Sequence, residues 1–197
     1  MINGSRCEGI SFSYDGQEQI AIAEKEVLLS AGSIGSVQIL ERSGVGDEKR
    51  LQALNIPVIK HLPGVGENLQ DHLQIRLVYK VSGLKTLNML ASRWWGKLLI
   101  GLQYVLTRSG PMSMAPSQLG AFAKSRPDVA TADLEYHVQP LSLDAFGEPL
   151  HDYPAITASV CHLRPESRGE VRLSSSIPLD APLISPNFLS SEGDRLV

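Results

Sequence analysis

The sequence predicts a layered α/β segment over residues 1–71 followed by an antiparallel α+β segment with helices over residues 72–197, and three observations carry that prediction. Val27, Leu28 and Leu29 form an unbroken apolar run, as in a strand covered on both faces, and Ala31 and Gly32 lead from it into a helical pattern. From "LQIRLVYKVSG" onward the strand-like runs alternate instead, with Leu73, Ile75, Leu77 and Tyr79 sharing one side, as in half-buried antiparallel strands. At 197 residues and 43% hydrophobic content the chain can bury a sizeable core. The change of pattern near Asp71 sets the expected boundary.

The elements follow in order. "CEGISFSYDGQEQIAIAEKEVLLSAG" opens with a hairpin, in which Ile10 and Phe12 alternate with polar residues and Ile20 and Ile22 do the same beyond Asp15-Gly16. A three-residue loop ending on Gly16 sets all four on one face and is expected over a two-residue Asp-Gly turn, which would split them. Ile34, Val37 and Leu40 share a helix face from Ser33 to Ser43, and Gly44 is placed to end it. A short helix capped by Asp47 comes next, then a brief strand in "IPVIK" and a glycine-rich loop. "SRWWGKLLIGLQYVLTRSGP" is the clearest helix, with Trp95, Leu98, Leu99, Leu102, Val105 and Leu106 in one stripe and Gly110-Pro111 as its stop. Strand-like runs follow around "SQLGAFAKS", "DLEYHVQPLS", "ITASVCHLRP" and "GEVRLSSS".

Composition narrows the function. With 18 basic and 21 acidic residues in short mixed groups, the net charge of -3 points to small-molecule partners and away from nucleic acid or anionic membranes. Cys7 and Cys161 lie far apart without a CxxC pattern, which argues against a disulfide framework or a zinc site and for two reduced, buried thiols. No apolar run is long enough to span a membrane and "MINGSRCEG" has no signal core, so a cytoplasmic protein is expected. The five histidines, His61, His72, His137, His151 and His162, are nowhere at metal spacing, and no metal ligand or catalytic residue is assigned from them.

"GVGDEK" at Gly44 and "GVGENL" at Gly64 lack the third glycine of a dinucleotide loop. "SAGSIG" is better placed, because Ala31 and Gly32 end a predicted strand where either a ligand or another backbone could approach closely. In "DLEYHVQP" alternation sets Glu135, His137 and Gln139 opposite Leu134, Tyr136 and Val138, either as a pocket face or as a solvated one. Trp95 reads as core, with an aromatic wall for a cation as the alternative. Arg164 and Arg168 flank "RPESRG", a solvated loop or an anion site.

Several ordered segments resemble one family. "GSIGSVQILERSGVG", Gly32 to Gly46, is similar to the second signature of the glucose-methanol-choline oxidoreductases, matching at Gly32, Ser33, Ser36, Ile39, Leu40, Ser43, Gly44, Val45 and Gly46. Val37 stands where that family usually has proline. "LPGVGENLQDH" and "LRPESRGEVRLSSS" resemble further family segments, and "GPMSMAPSQLGAF" with "LEYHVQPLSLDAFG" resembles the choline-dehydrogenase-like branch.

The resemblance implies part of an FAD-binding Rossmann-like domain over 1–71 and part of an antiparallel-sheet substrate domain over 72–197. It implies FAD as cofactor, with Ser30, Ala31, Gly32 and Ser33 against the dinucleotide, and oxidation of the CH-OH group of a small alcohol with hydride passing to the flavin. Glu135, His137 and Gln139 become the expected substrate pocket. The family's opening GxGxxG and closing catalytic-histidine segment have no counterpart here, so an internal fragment without catalytic residues is expected. The alternative is a non-catalytic remnant or binding module that lacks FAD.

Overall fold

The computed structural model describes residues 1–4, 6–115, 117–145 and 147–197. It divides into two units, Met1–Asp71 with Glu166–Glu192 and His72–Pro165 with Gly193–Val197. The unit changes between Asp71 and His72, but the second expected segment is not contiguous, because 166–192 returns to the first unit through strand pairing.

The first unit begins with β1 (Ile2–Asn3) paired to β2 (Arg6–Cys7) and the hairpin of β3 (Gly9–Tyr14) and β4 (Gln17–Ile22). Tyr14 pairs directly with Gln17, so the turn is the two-residue Asp15-Gly16 form and not the expected three-residue loop. Both turn residues have positive φ, 53° and 76°, as a type I′ turn requires. Ile10, Phe12, Ile20 and Ile22 remain exposed, so no buried face competes with the turn chemistry. Cys7 is exposed as well, against the expectation of two buried thiols.

The expected strand at Val27–Leu29 does not form, and Leu28 is 81% exposed. A strand exists only through hydrogen bonds to a neighbour, and among the described residues none pairs with this segment. The chain then enters α1 (Gly32–Arg42), which runs unbroken through Val37 and ends at Ser43 and Gly44. A Cβ at Gly44, where φ is +79°, would strike the Pro57 carbonyl oxygen, so glycine is required there. Next come β5 (Val45–Gly46), α2 (Glu48–Ala53), β6 (Lys60–His61), which pairs parallel with β5, and β7 (Glu67–Leu69). Asp47 caps α2 by accepting from the Arg50 amide at 3.0 Å, which holds its carboxyl below the ordinary aspartate range.

The second unit holds β8 (Gln74–Lys80), α3 (Leu87–Ala91), α4 (Trp94–Thr107), β9 (Leu119–Ala123), β10 (Leu134–Gln139) and β11 (Ala155–His162). Its sheet is antiparallel in the order β8-β11-β10-β9. The chain then supplies β12 (Gly169–Arg172) and β13 (Leu183–Ser185) to the first unit, as the sheet β13-β12-β7, and closes with α5 (Glu192–Leu196). In the first unit Leu51, Ile56 and Leu173 form the core, flanked by Leu54 and Val58. Arg50 pairs with Glu67 and Glu170, and Arg172 with Glu170, which ties α2 to β7 and β12.

Burial in the second unit reverses the amphipathic expectation. Ala155, Thr157, Ser159 and Cys161 of β11 are buried, whereas Ile75, Leu77 and Tyr79 of β8 point to the exposed side. Trp95, expected as core, is 46% exposed, with the Arg93 guanidinium 5.6 Å from its ring centroid. The α4 stripe of Leu98, Leu102 and Leu106 is exposed too, because the helix packs mainly on α3 and the turn at Pro111–Ser113. A periodic pattern specifies which side of a helix is apolar, not what covers it.

Asp133 closes the β9-β10 connection. Its carboxylate accepts from the Ser125 hydroxyl at 2.6 Å and the Ser125 amide at 2.7 Å, and these bonds, the hydroxyl first, hold it below the ordinary aspartate range. A depressed carboxyl pKa stabilises the fold above the unfolded-state value and loses that contribution as pH falls through the folded-state value. Asp133→Asn should therefore lower the melting temperature at neutral pH, and the gap to the parent should close as the pH falls through that window. Melting curves against pH check this, and a gap constant with pH would contradict it.

Candidate functional site

The residues singled out from the sequence fall into two groups, one in each unit. In the first, Ser30, Ala31, Gly32 and Ser33 are exposed at the entry of α1. Gly32 has φ +77°, and a Cβ there would meet nothing within 4 Å, so the backbone is open to a close neighbour. The first turn of α1 has no side-chain cap and no acidic residue. Its amides and the positive end of the helix dipole therefore suit a phosphate or another anion.

Ser33 lines a cavity of about 340 Å³ together with Val37, Gly66, Asn68, Gln70 and Val171. The wall is fixed by contact of β12 with the loop before β7. A Cβ at Gly66, where φ is +81°, would run into the Val171 carbonyl oxygen, and the Val171 amide donates to the Gly66 carbonyl at 2.7 Å. Gly66 of "GVGENL" thus serves close packing.

In the second unit the register of β10 brings Glu135, His137 and Gln139 to one face, opposite Cys161, Ser159 and Thr157 of β11. His137 Nε2 lies 3.4 Å from Glu135 Oε1, and the Cys161 thiol points at Glu135 Oε2 across 3.8 Å. Burial, and then the Glu135 charge, push the Cys161 thiol pKa up, so the thiol keeps its proton. Gln139 is 6% exposed and donates from Nε2 to Ser117 Oγ at 3.1 Å. Its Oε1 is buried with no partner among the described residues. An unpaired buried acceptor costs about 1–3 kcal/mol, a cost that a ligand hydroxyl donating to it would remove.

Residues 1–74 match the model of the family described as GMC oxidoreductase. The chain is 38% identical over 195 residues to the oxygen-dependent choline dehydrogenase of Vibrio vulnificus strain YJ016, covering 99% of this chain and 35% of the relative. The chain belongs to the GMC oxidoreductase family. Human mitochondrial choline dehydrogenase is 38% identical over 194 residues, covering 98% of this chain and 32% of its own. The chain thus spans about a third of the length of these curated relatives. The Aspergillus oryzae RIB40 formate oxidase studied for its FAD modification superposes with a TM-score of 0.82 at 22% identity, over 96% of this chain and 38% of that one, and shares the fold.

One polar group in this GMC chain imitates a hydrolase and had no signal in the sequence. His151 Nδ1 lies 2.9 Å from Ser142 Oγ, and its Nε2 lies 3.1 Å from Asp144 Oδ1. Ser142 is fully buried, and Asn88 holds its amide, carbonyl and hydroxyl. Asn88 also donates to the His151 carbonyl at 2.9 Å, so the network pins the loop between β10 and β11. A nucleophile must reach its substrate, and this hydroxyl cannot. A serine-directed fluorophosphonate should leave the chain unlabelled by mass spectrometry. Labelling at Ser142 would contradict this reading.

Proposed function

We propose that this chain serves an FAD-dependent oxidoreductase acting on the CH-OH group of small alcohols, choline-like alcohols first among them. The orphaned Oε1 of Gln139, buried beside Glu135 and His137 on the sheet of a GMC oxidoreductase, carries the reading. Ser30, Ala31, Gly32 and Ser33 would hold the FAD, since an uncapped helix start with an open glycine suits its phosphates. FAD supplies the two-electron acceptor that oxidation of the carbinol carbon to a carbonyl requires.

The chain's own groups position the substrate. Gln139 Oε1 accepts from the substrate hydroxyl or a neighbouring donor, and the Gln139–Ser117 bond holds that amide in place. Glu135 brings negative charge to the face, which favours an alcohol that carries a quaternary ammonium. His137 lies against that carboxylate and sets its orientation. The roles given to these three residues are binding and orientation; the hydroxyl proton is assigned to none of them.

In a flavoprotein that carries these residues, His137→Ala should lower kcat/KM by about 10-fold, roughly 1.4 kcal/mol of transition-state stabilisation, with FAD content unchanged. A solvated strand position would shift it by no more than about 0.5 kcal/mol. Unchanged steady-state kinetics at unchanged flavin content would remove this face of β10 from the substrate site.

A further inference from the structure

We propose that His72, Glu135 and Cys161 form a binding site for a divalent transition-metal ion, with zinc the best fit. One ligand-capable atom from each residue lies within 4.8 Å of those of the other two. An imidazole nitrogen, a carboxylate oxygen and a thiolate sulfur together make the mixed donor set that zinc accepts, and one that magnesium and calcium, which want oxygen alone, do not favour.

The fold assembles the three from separate places. Glu135 and Cys161 are cross-strand partners on β10 and β11, with side chains on the same face. Cys161 also pairs with Gln74 of β8, and His72 sits just ahead of that strand at the same end of the sheet. His72 Nε2 lies 3.1 Å from the Leu163 carbonyl oxygen, which can only accept. A bond to a backbone carbonyl is one of the ways in which the ring of a metal-binding histidine is held in place.

Protonation is consistent with uptake of a cation. The Cys161 thiol, 4% exposed, directs its hydrogen toward Glu135 Oε2. On binding, sulfur gives up that proton to solvent and forms the metal bond, with no change of oxidation state. Three protein ligands leave a fourth tetrahedral position for water. Glu135 also belongs to the proposed substrate face, yet the metal site is argued from its own donors and its test needs no flavin.

The full 197-residue chain with Cys7→Ser, which removes the exposed thiol, is titrated with Zn²⁺ against a chromophoric chelator and with Co²⁺ by absorbance. One equivalent of Zn²⁺ should bind, Co²⁺ should give a thiolate charge-transfer band, and Cys161→Ser should abolish that band. Cys161→Ser and Glu135→Gln should each weaken Zn²⁺ binding by at least about 10-fold. Circular dichroism monitors folding, and Glu135→Gln, which keeps the shape of the side chain, decides the matter if the serine variant does not fold. A folded parent that binds no stoichiometric Zn²⁺, or variants that bind as tightly as the parent, would overturn the site.

Discussion

The pairing of β10 with β11 is the constraint on which the rest of the second unit depends. Glu135, His137 and Gln139 lie opposite Cys161, Ser159 and Thr157. A slip of β10 by one residue would turn its three to the other face and away from the β11 three, because side chains in a strand alternate with a period of two. The register is pinned at both ends. Asp133 and Ser125 close the β9-β10 side, while Thr157 Oγ1 donates to the Leu141 carbonyl at 2.8 Å and Asn88 clamps Ser142 beyond Gln139. A polar face can stay ordered only when neighbours hold each group, and a buried acceptor on this face without a partner among the described residues, Gln139 Oε1, is for that reason informative.

The first unit rests on a different kind of constraint, a buried carboxylate. Glu41 of α1 is 2% exposed and accepts from the Leu173 amide at 2.8 Å. Burial raises its pKa, against the opposing pull of the Leu173 amide and of Arg50, Arg172 and Arg42. A raised carboxyl pKa contributes stability below the unfolded-state value, and that contribution is lost as pH rises through the folded-state value. The bond to Leu173 joins α1 to the residue after β12, the strand that packs on Gly66. The helix whose open start suits a phosphate is thereby fixed to the wall of the neighbouring cavity.

Sequence pattern revealed the elements whose cause is local. The Asp47 cap, the span of α1 and the strands from β8 to β12 all follow from turn chemistry and periodicity. The failures have tertiary causes. Val27–Leu29 has the composition of a buried strand but, among the described residues, no strand alongside it, and the hairpin follows its Asp-Gly turn where a shared apolar face was expected. The stripe of α4 was visible but not its exposure, and 166–192 joins the first unit only because β12 finds β7. For the site, alternation alone set Glu135, His137 and Gln139 on one face. It had no means to add Cys161 from the next strand or His72 from the far edge, since histidine and cysteine spacing along the chain says nothing about partners across a sheet.

The proposed chemistry, oxidation of an alcohol at a flavin, draws on one feature from each unit, the open helix start of α1 for an anionic cofactor and the orphaned Gln139 acceptor for a hydroxyl-bearing ligand. The most direct measurement is the absorbance of oxidised flavin in a flavoprotein containing these residues, followed anaerobically as choline and other small alcohols are added. The account predicts that the band bleaches as the alcohol is oxidised. A flavin that stays bound and oxidised with every alcohol tested would contradict it.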